Sequence, residues 1–497
     1  DNWIWPRHTG DFSIFRIYAG KDNEPADYSP SNVPFTPKKY LKVSLKGYKE
    51  GDFTMVYGYP GRTQQYLYSD AVKFIVDKSN PIKIGLRTLR LNIQNAEMSK
   101  SQAVRIKYAS KNANVANAWK KWQGEALGLK ASQAIEKKIE FEKEFDKWSA
   151  NRTEYNGLIN QFRKLYSEIE PYSILNDYIN ESVNVNELPK LAGTLSAQLS
   201  KMKEEEWQSV EKYIISQLRD FYKDYYLPID KSSFVAIMGE YCKNIDDRFK
   251  PEYLKTVLSK FGSVGEYADY LYSNSLLTDS LKADASVKNG TFVNDLKNDP
   301  ATIFYNEMNS DFNSRFKPAL NDMNEKLSLL YRKYLKARME FEKERNFYPD
   351  ANSTLRVAYG KIVGYSPKDA ILYRYYSTID GIMEKDNPEI YDYDIPQKLR
   401  DIYKNKDYGI WGVKGTIPVC FIATNHTSGG NSGSPVLDAR GNLIGINFDR
   451  VWEGTMSDVL FNPEICRNII LDIRYVMFVT DKVMGAKNLI KEIEFAK

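Results

Sequence analysis

The decapeptide Thr427–Val436, Thr-Ser-Gly-Gly-Asn-Ser-Gly-Ser-Pro-Val, is the part of the chain best suited to chemistry. A serine nucleophile must stand on a tight turn that exposes its hydroxyl. The same turn must aim backbone N–H groups at the oxygen of the carbonyl under attack. Gly430 and Gly433 flank Ser432 where a Cβ would obstruct an approaching carbonyl. Ser432 is therefore the expected nucleophile, with the N–H groups of Gly430 and Ser432 as the oxyanion hole. The chemistry would be acyl transfer through a covalent acyl-enzyme. A serine hydroxyl also needs an adjacent base, itself oriented by a third group. The chain has two histidines, His8 and His426. His426 lies six residues before Ser432 on one loop, too local to face the hydroxyl from across a cleft. The expected base lies upstream of Asp1, and the Asp1 carboxylate would fix its tautomer and orientation.

The elements that must hold these residues differ along the chain. Of 497 residues, 42% are hydrophobic and 13% aromatic, enough for real cores and too many for a disordered chain. The net charge of +5 gives no reason to expect a nucleic-acid partner. No apolar run approaches the roughly 18 residues of a membrane span. Three distant cysteines permit at most one disulfide, and with two histidines they make a zinc site improbable. Acyl transfer by serine implies no metal or organic cofactor. Residues 1–92 carry strand-like runs, notably Asp52–Tyr59. Residues 93–347 show Lys/Glu-rich stretches with apolar spacing of three and four, the mark of long amphipathic helices. Residues 348–497 return to strands, expected at Thr354–Val363, Ile417–Ala423, Asn442–Phe448 and Ile473–Val479, with a short helical tail bearing Val483, Leu489 and Ile493. The simplest topology is one β-domain interrupted by a helical insertion. The chain opens on Asp-Asn-Trp-Ile-Trp, without Met or a signal-like segment, and is expected to be N-terminally truncated.

Two motifs resemble chymotrypsin-fold serine peptidases. Gly-Asn-Ser-Gly-Ser-Pro ahead of Gly441-Asn442-Leu443-Ile444-Gly445 is similar to their nucleophile loop. Glu50–Gly61 is similar to the first strand of their second barrel. Their chain order of His, Asp, Ser disfavours His8, which follows Asp1. Asp-Asn-Trp-x-Trp-Pro-Arg-His-Thr-Gly-Asp-Phe (1–12), Tyr-Pro-Asp-Ala-Asn-x-Thr-Leu-Arg (348–356) and Gly-Gly-Asn-Ser-Gly-Ser-Pro (429–435) together resemble the bacterial dipeptidyl-peptidase 7 and 11 family across the whole chain. That resemblance implies a chymotrypsin-like double β-barrel, here with its first barrel largely missing, and a large α-helical domain inserted in the second barrel and capping the cleft. It implies release of dipeptides from the free N-termini of oligopeptides. It assigns Asp1 and Ser432 to the triad and leaves no counterpart for the catalytic histidine, so the chain as given is expected to be inactive. It also implies a homodimer and a periplasmic or cell-surface location in a Gram-negative bacterium.

Arg450 lies where the strand and loop after the nucleophile hairpin would wall the primary side-chain pocket. A guanidinium there accepts a carboxylate and rejects apolar or cationic groups. By resemblance, arginine at this position marks the Asp/Glu-specific branch and glycine the apolar-specific branch. A clamp for the substrate amine is expected from Asn447 and Asp449, two apart on a strand and so on one face, and from Asn117, preferred by resemblance over Asn112 and Asn114. Two other readings compete: a non-catalytic peptide-binding protein on a degenerate peptidase fold, and a trypsin-like or HtrA-like endopeptidase with a helical insertion.

Overall fold

The computed structural model describes residues 2–201 and 207–496, in two compact units. The β-rich unit comprises Asp1–Gln65, Leu127–Ala131 and Phe347–Lys497; the helical unit comprises Tyr66–Ala126 and Ser132–Asn346.

Among the described residues the β-rich unit holds eleven strands: β1 (Tyr18–Ala19), β2 (Val33–Pro34), β3 (Phe53–Gly58), β4 (Arg356–Lys361), β5 (Tyr365–Lys368), β6 (Ile371–Tyr373), β7 (Tyr376–Thr378), β8 (Pro418–Ala423), β9 (Ser434–Leu437), β10 (Leu443–Arg450) and β11 (Asn468–Asp472). Seven form one antiparallel sheet in the order β4-β3-β9-β10-β11-β8-β7. β3 comes from before the helical insertion and pairs with β4 and β9 from after it. Neither piece of sequence could have made this sheet alone. A bridge between Ile362 and Ala423, with Thr424 N–H donating to Lys361 O at 3.0 Å, brings the end of β4 to the end of β8. The sheet therefore curls until its margins meet. Val56, Ile362, Phe421, Val436, Ile444 and Ile470 pack as one buried cluster. Val419, Ile422, Ile469, Leu471 and Phe478 belong to a second. β8 and β11 are buried at every position, which explains the apolar run of β8 and of Ile469–Leu471 in β11.

One expected strand is a helix. Ile473–Phe478 is helical, and the strand is the preceding Asn468–Asp472. The Asp472 carboxylate caps the helix by accepting the Arg474 N–H at 2.8 Å, and it pairs with the Arg474 guanidinium at 2.6 Å. An apolar run of this length does not distinguish helix from strand by periodicity. The expected tail helix is also shorter, spanning Lys487–Ile490.

The helical unit starts well before residue 93. Helix Ser69–Phe74 continues through a π-turn, Ile75–Ser79, into Asn80–Lys100. The π-turn lets the run pass Pro81 without ending. Further helices include Gln102–Ala131, Ala134–Ser149, Leu158–Tyr178, Glu187–Leu199, Leu227–Asn244 and Lys317–Phe341. Phe145, Phe162, Phe234, Phe304 and Tyr334 are buried at their centre.

Glu142 is a pH-sensitive joint in this unit. Its carboxylate accepts the Ser69 N–H at 2.7 Å and the Ser69 hydroxyl at 2.6 Å. Burial pushes its pKa up to about 7, against the opposing pull of the Ser69 hydrogen bonds and Lys138. A raised acid pKa favours the neutral folded form, so the contribution is full below the unfolded value and disappears as pH rises through 7. The helical unit is expected to lose about 3 kcal/mol between pH 4.5 and 8 from this group. Denaturant midpoints across that range check it. Glu142→Gln should flatten the slope, and an unchanged slope would remove Glu142 as its source.

Candidate active site

The loop between β8 and β9 presents Ser432 to solvent. Its shape is set by short hydrogen bonds. Asn431 N–H donates to Ser428 O at 3.1 Å, and Ser428 N–H donates back to the Asn431 side chain at 3.0 Å. Gly433 N–H donates to Asn447 O at 2.8 Å, tying the turn to β10. Gly430 has φ +102° and Gly433 φ +83°, both in the region that favours glycine. A Cβ on Gly430 would run into the Tyr59 carbonyl oxygen. Among the described residues the N–H groups of Gly430 and Ser432 have no hydrogen-bond acceptor. Two unspent donors beside an exposed hydroxyl are what a developing oxyanion requires. Gly430→Ala is expected to lower kcat by about 10²–10³-fold with little change in KM. Steady-state kinetics on a dipeptidyl substrate check this, and an unchanged kcat would remove the Gly430 amide from the hole.

β10 carries the second half of the site. Its register against β11 slips between Asn447 and Asp449, which pair with the successive residues Ile470 and Ile469. Phe448 is the bulged residue, and its carbonyl accepts the Ser432 hydroxyl at 3.3 Å. Successive residues of β11 point to opposite faces, so the bulge breaks the expectation that Asn447 and Asp449 share a face. Their contacts agree. Asn447, buried, donates to Asn431 O at 3.1 Å and accepts from Asn468 at 2.8 Å. One end of its amide supports the turn that carries Ser432 and the other is held by Asn468 of β11. Asp449 accepts the Trp3 N–H at 3.0 Å, the Arg7 guanidinium at 3.1 Å and the Arg450 N–H at 2.8 Å. Burial raises its pKa, and Arg7 works against that rise. Asp449 also pins Trp3, which sits at φ +65°, a strained conformation for a large side chain.

Arg450 is 5% exposed and lies beneath the Trp3 ring, with its guanidinium carbon 5.4 Å from the ring centre. Its Nη1 donates to Ser457 Oγ at 2.7 Å and to Asp458 Oδ1 at 2.6 Å, and its Nη2 to Asp458 Oδ2 at 3.3 Å. Glu453, nearer in the chain, accepts the Tyr365 hydroxyl at 2.9 Å. Trp3, Arg7, Ser457 and Asp458 are the site residues that sequence reasoning missed.

Among the described residues, neither histidine has a hydrogen bond to Ser432. His426 Nε2 lies 2.9 Å from Ser457 O, and its ring stacks on Phe461. It lines a cavity of about 370 Å³ with Tyr348, Thr427 and Ser428, and Ser432 does not line that cavity. Burial lowers its pKa, with Arg450 adding to the effect. His8 packs against Gly381, and burial followed by Lys385 brings its pKa down to about 4. Asp1 lies outside the described residues. Asn117 is exposed on helix Gln102–Ala131 of the helical unit. Among the described residues no cluster of three or more His, Cys, Asp or Glu could hold a metal ion, and no helix is long and apolar enough to cross a membrane.

A serine on a glycine-flanked turn, two unspent amides and a buried arginine define a hydrolase site of the serine-nucleophile class. The chain belongs to the peptidase S46 family, whose model matches residues 1–495. It is 46% identical over 503 residues to an Asp/Glu-specific dipeptidyl-peptidase of Flavobacterium psychrophilum, covering 99% of this chain and 70% of the relative. It is 45% identical over 511 residues to one of Capnocytophaga gingivalis, covering 100% of this chain and 71% of that protein. The crystal structure of Porphyromonas endodontalis DPP11 in complex with the dipeptide Arg-Glu matches with a TM-score of 0.90 at 33% identity, covering 100% of this chain and 72% of the other.

Proposed function

We propose that this chain carries the nucleophile and the specificity pocket of a serine dipeptidyl-peptidase that releases N-terminal dipeptides ending in Asp or Glu. The activity follows from membership of the peptidase S46 family and from relatives that are Asp/Glu-specific dipeptidyl-peptidases. The single observation that carries the acidic preference is the buried guanidinium of Arg450 on the strand whose bulge holds Ser432.

Ser432 Oγ attacks the carbonyl carbon of the second substrate residue. The oxyanion that forms is held by the amides of Gly430 and Ser432, and its collapse expels the shortened peptide as an amine. Water then attacks the acyl-enzyme and releases the dipeptide. The hydroxyl proton goes to a base other than His8 or His426: the lowered pKa of each makes it a weak base, and His426 Nε2 is held at Ser457 O in a cavity that Ser432 does not line. We assign orientation of that base to Asp1. A curled sheet bearing the nucleophile loop agrees with one barrel of a chymotrypsin-like double barrel. Asp449 is the charged group assigned to the substrate α-amine. A homodimer and a periplasmic or cell-surface location complete this reading.

The test uses the full-length enzyme with fluorogenic Xaa-Asp, Xaa-Glu and Xaa-Leu substrates, N-terminally free and blocked. Cleavage confined to free Xaa-Asp and Xaa-Glu is the expected result. Preference for Xaa-Leu would overturn the role of Arg450. Cleavage of blocked protein would favour an endopeptidase.

A further inference from the structure

Arg450 is already paired before any substrate arrives. Asp458 meets it with both carboxylate oxygens, at 2.6 and 3.3 Å, along the edge formed by Nη1 and Nη2. That edge is one on which a guanidinium receives a carboxylate bidentately. The pair is largely sheltered, with side-chain exposures of 6% for Arg450 and 15% for Asp458. The Ser457 hydroxyl takes a further Nη1 proton, and the Trp3 ring covers the guanidinium face. A buried arginine needs a counter-ion, because an uncompensated charge in such a place is strongly destabilising. An incoming acidic side chain brings a second carboxylate to the same cation. Two carboxylates on one guanidinium leave a net negative charge in a sheltered site, which like-charge repulsion opposes.

We propose that Asp458 is an internal stand-in for the acidic side chain of the substrate: it neutralises Arg450 in the free enzyme and yields at least one of its two contacts when the substrate carboxylate binds. Asp458 is thus a specificity-determining residue, and its competition sets how tightly the acidic side chain is held. The inference rests on the reading of Arg450 as the specificity residue. It gives the pocket two properties at once. Arg450 stays in place without substrate, and an acidic dipeptide product is released more readily than an unopposed arginine would allow.

Asp458→Asn keeps the side-chain shape and removes the competing charge. With the full-length enzyme, KM for Xaa-Glu and Xaa-Asp substrates should fall by about tenfold while kcat changes little. The kcat/KM for Xaa-Leu should not rise. An unchanged or raised KM for the acidic substrates overturns the proposal, since Asp458 would then merely hold Arg450 in position for them. Should the variant fail to fold, a crystal structure of the unaltered enzyme with an Xaa-Glu dipeptide decides. Arg450 on the ligand carboxylate with one Asp458 contact broken supports the inference. Arg450 on the ligand with both Asp458 contacts intact overturns it and leaves the specificity reading standing. An Arg450 that does not touch the ligand overturns the specificity reading itself.

Discussion

Ser432→Ala in the full-length enzyme is expected to lower kcat for Xaa-Glu hydrolysis by roughly 10⁴–10⁶-fold while KM stays within a few-fold. The split follows from the geometry. The Ser432 hydroxyl is exposed and, among the described residues, its hydrogen bond is to the Phe448 carbonyl at 3.3 Å, so its removal costs the fold almost nothing. The turn itself is held by Asn431, Ser428 and Asn447, which the substitution leaves in place. The substrate contacts proposed for Arg450 and Asp449 are likewise left in place. The covalent step alone is lost, and the residual rate reflects the oxyanion amides and binding acting on water. Single-turnover kinetics with active-site titration by an irreversible organophosphorus reagent check this. Labelling of the alanine variant at the parent stoichiometry, or kcat within tenfold of the parent, would remove Ser432 from the mechanism.

Arg450→Gly carries the second large effect. The kcat/KM for Xaa-Glu should drop by about 10²–10³-fold, the scale of removing one partner from a buried charge pair. Two causes add. The substrate carboxylate loses its cation, and Asp458 becomes an unpaired carboxylate facing the same space. The kcat/KM for Xaa-Leu should rise, because an apolar side chain no longer displaces a charge. The ratio of the two substrates is the quantity to measure, since it is insensitive to how much of the protein is folded. The melting temperature should fall as well, for Asp458 keeps its burial and loses its counter-ion. A glycine variant that retained the acidic preference would mean that the pocket lies elsewhere.

How much of this was legible beforehand differs by element. The nucleophile turn was readable because its chemistry is local: Gly430, Ser432 and Gly433 lie within four residues, and the positive φ angles at both glycines are conformations their residue type announces. The helical insertion was readable from periodicity, though its start was misplaced because a π-turn carries the helix past Pro81. The Ile473–Phe478 helix was misread as a strand, since six apolar-rich residues carry no period and the deciding feature was a cap from Asp472. The presumed shared face of Asn447 and Asp449 failed for a different reason. A bulge is a property of two paired strands, and one strand's sequence does not record it.

By itself, then, the sequence determined the glycine-flanked turn that exposes Ser432 and the alternation of sheet with helices, because each depends on residues near one another in the chain. Only the tertiary structure decided which groups surround them. It paired Arg450 with Asp458 rather than Glu453, turned Asn447 to the nucleophile loop, and bound Asp449 to Trp3 and Arg7 from the far end of the chain. The physical reason is burial. A charge or amide taken out of water must find its complement among whatever the fold brings within about 3 Å, and that choice is made by strand register and chain return, over separations that no local pattern encodes.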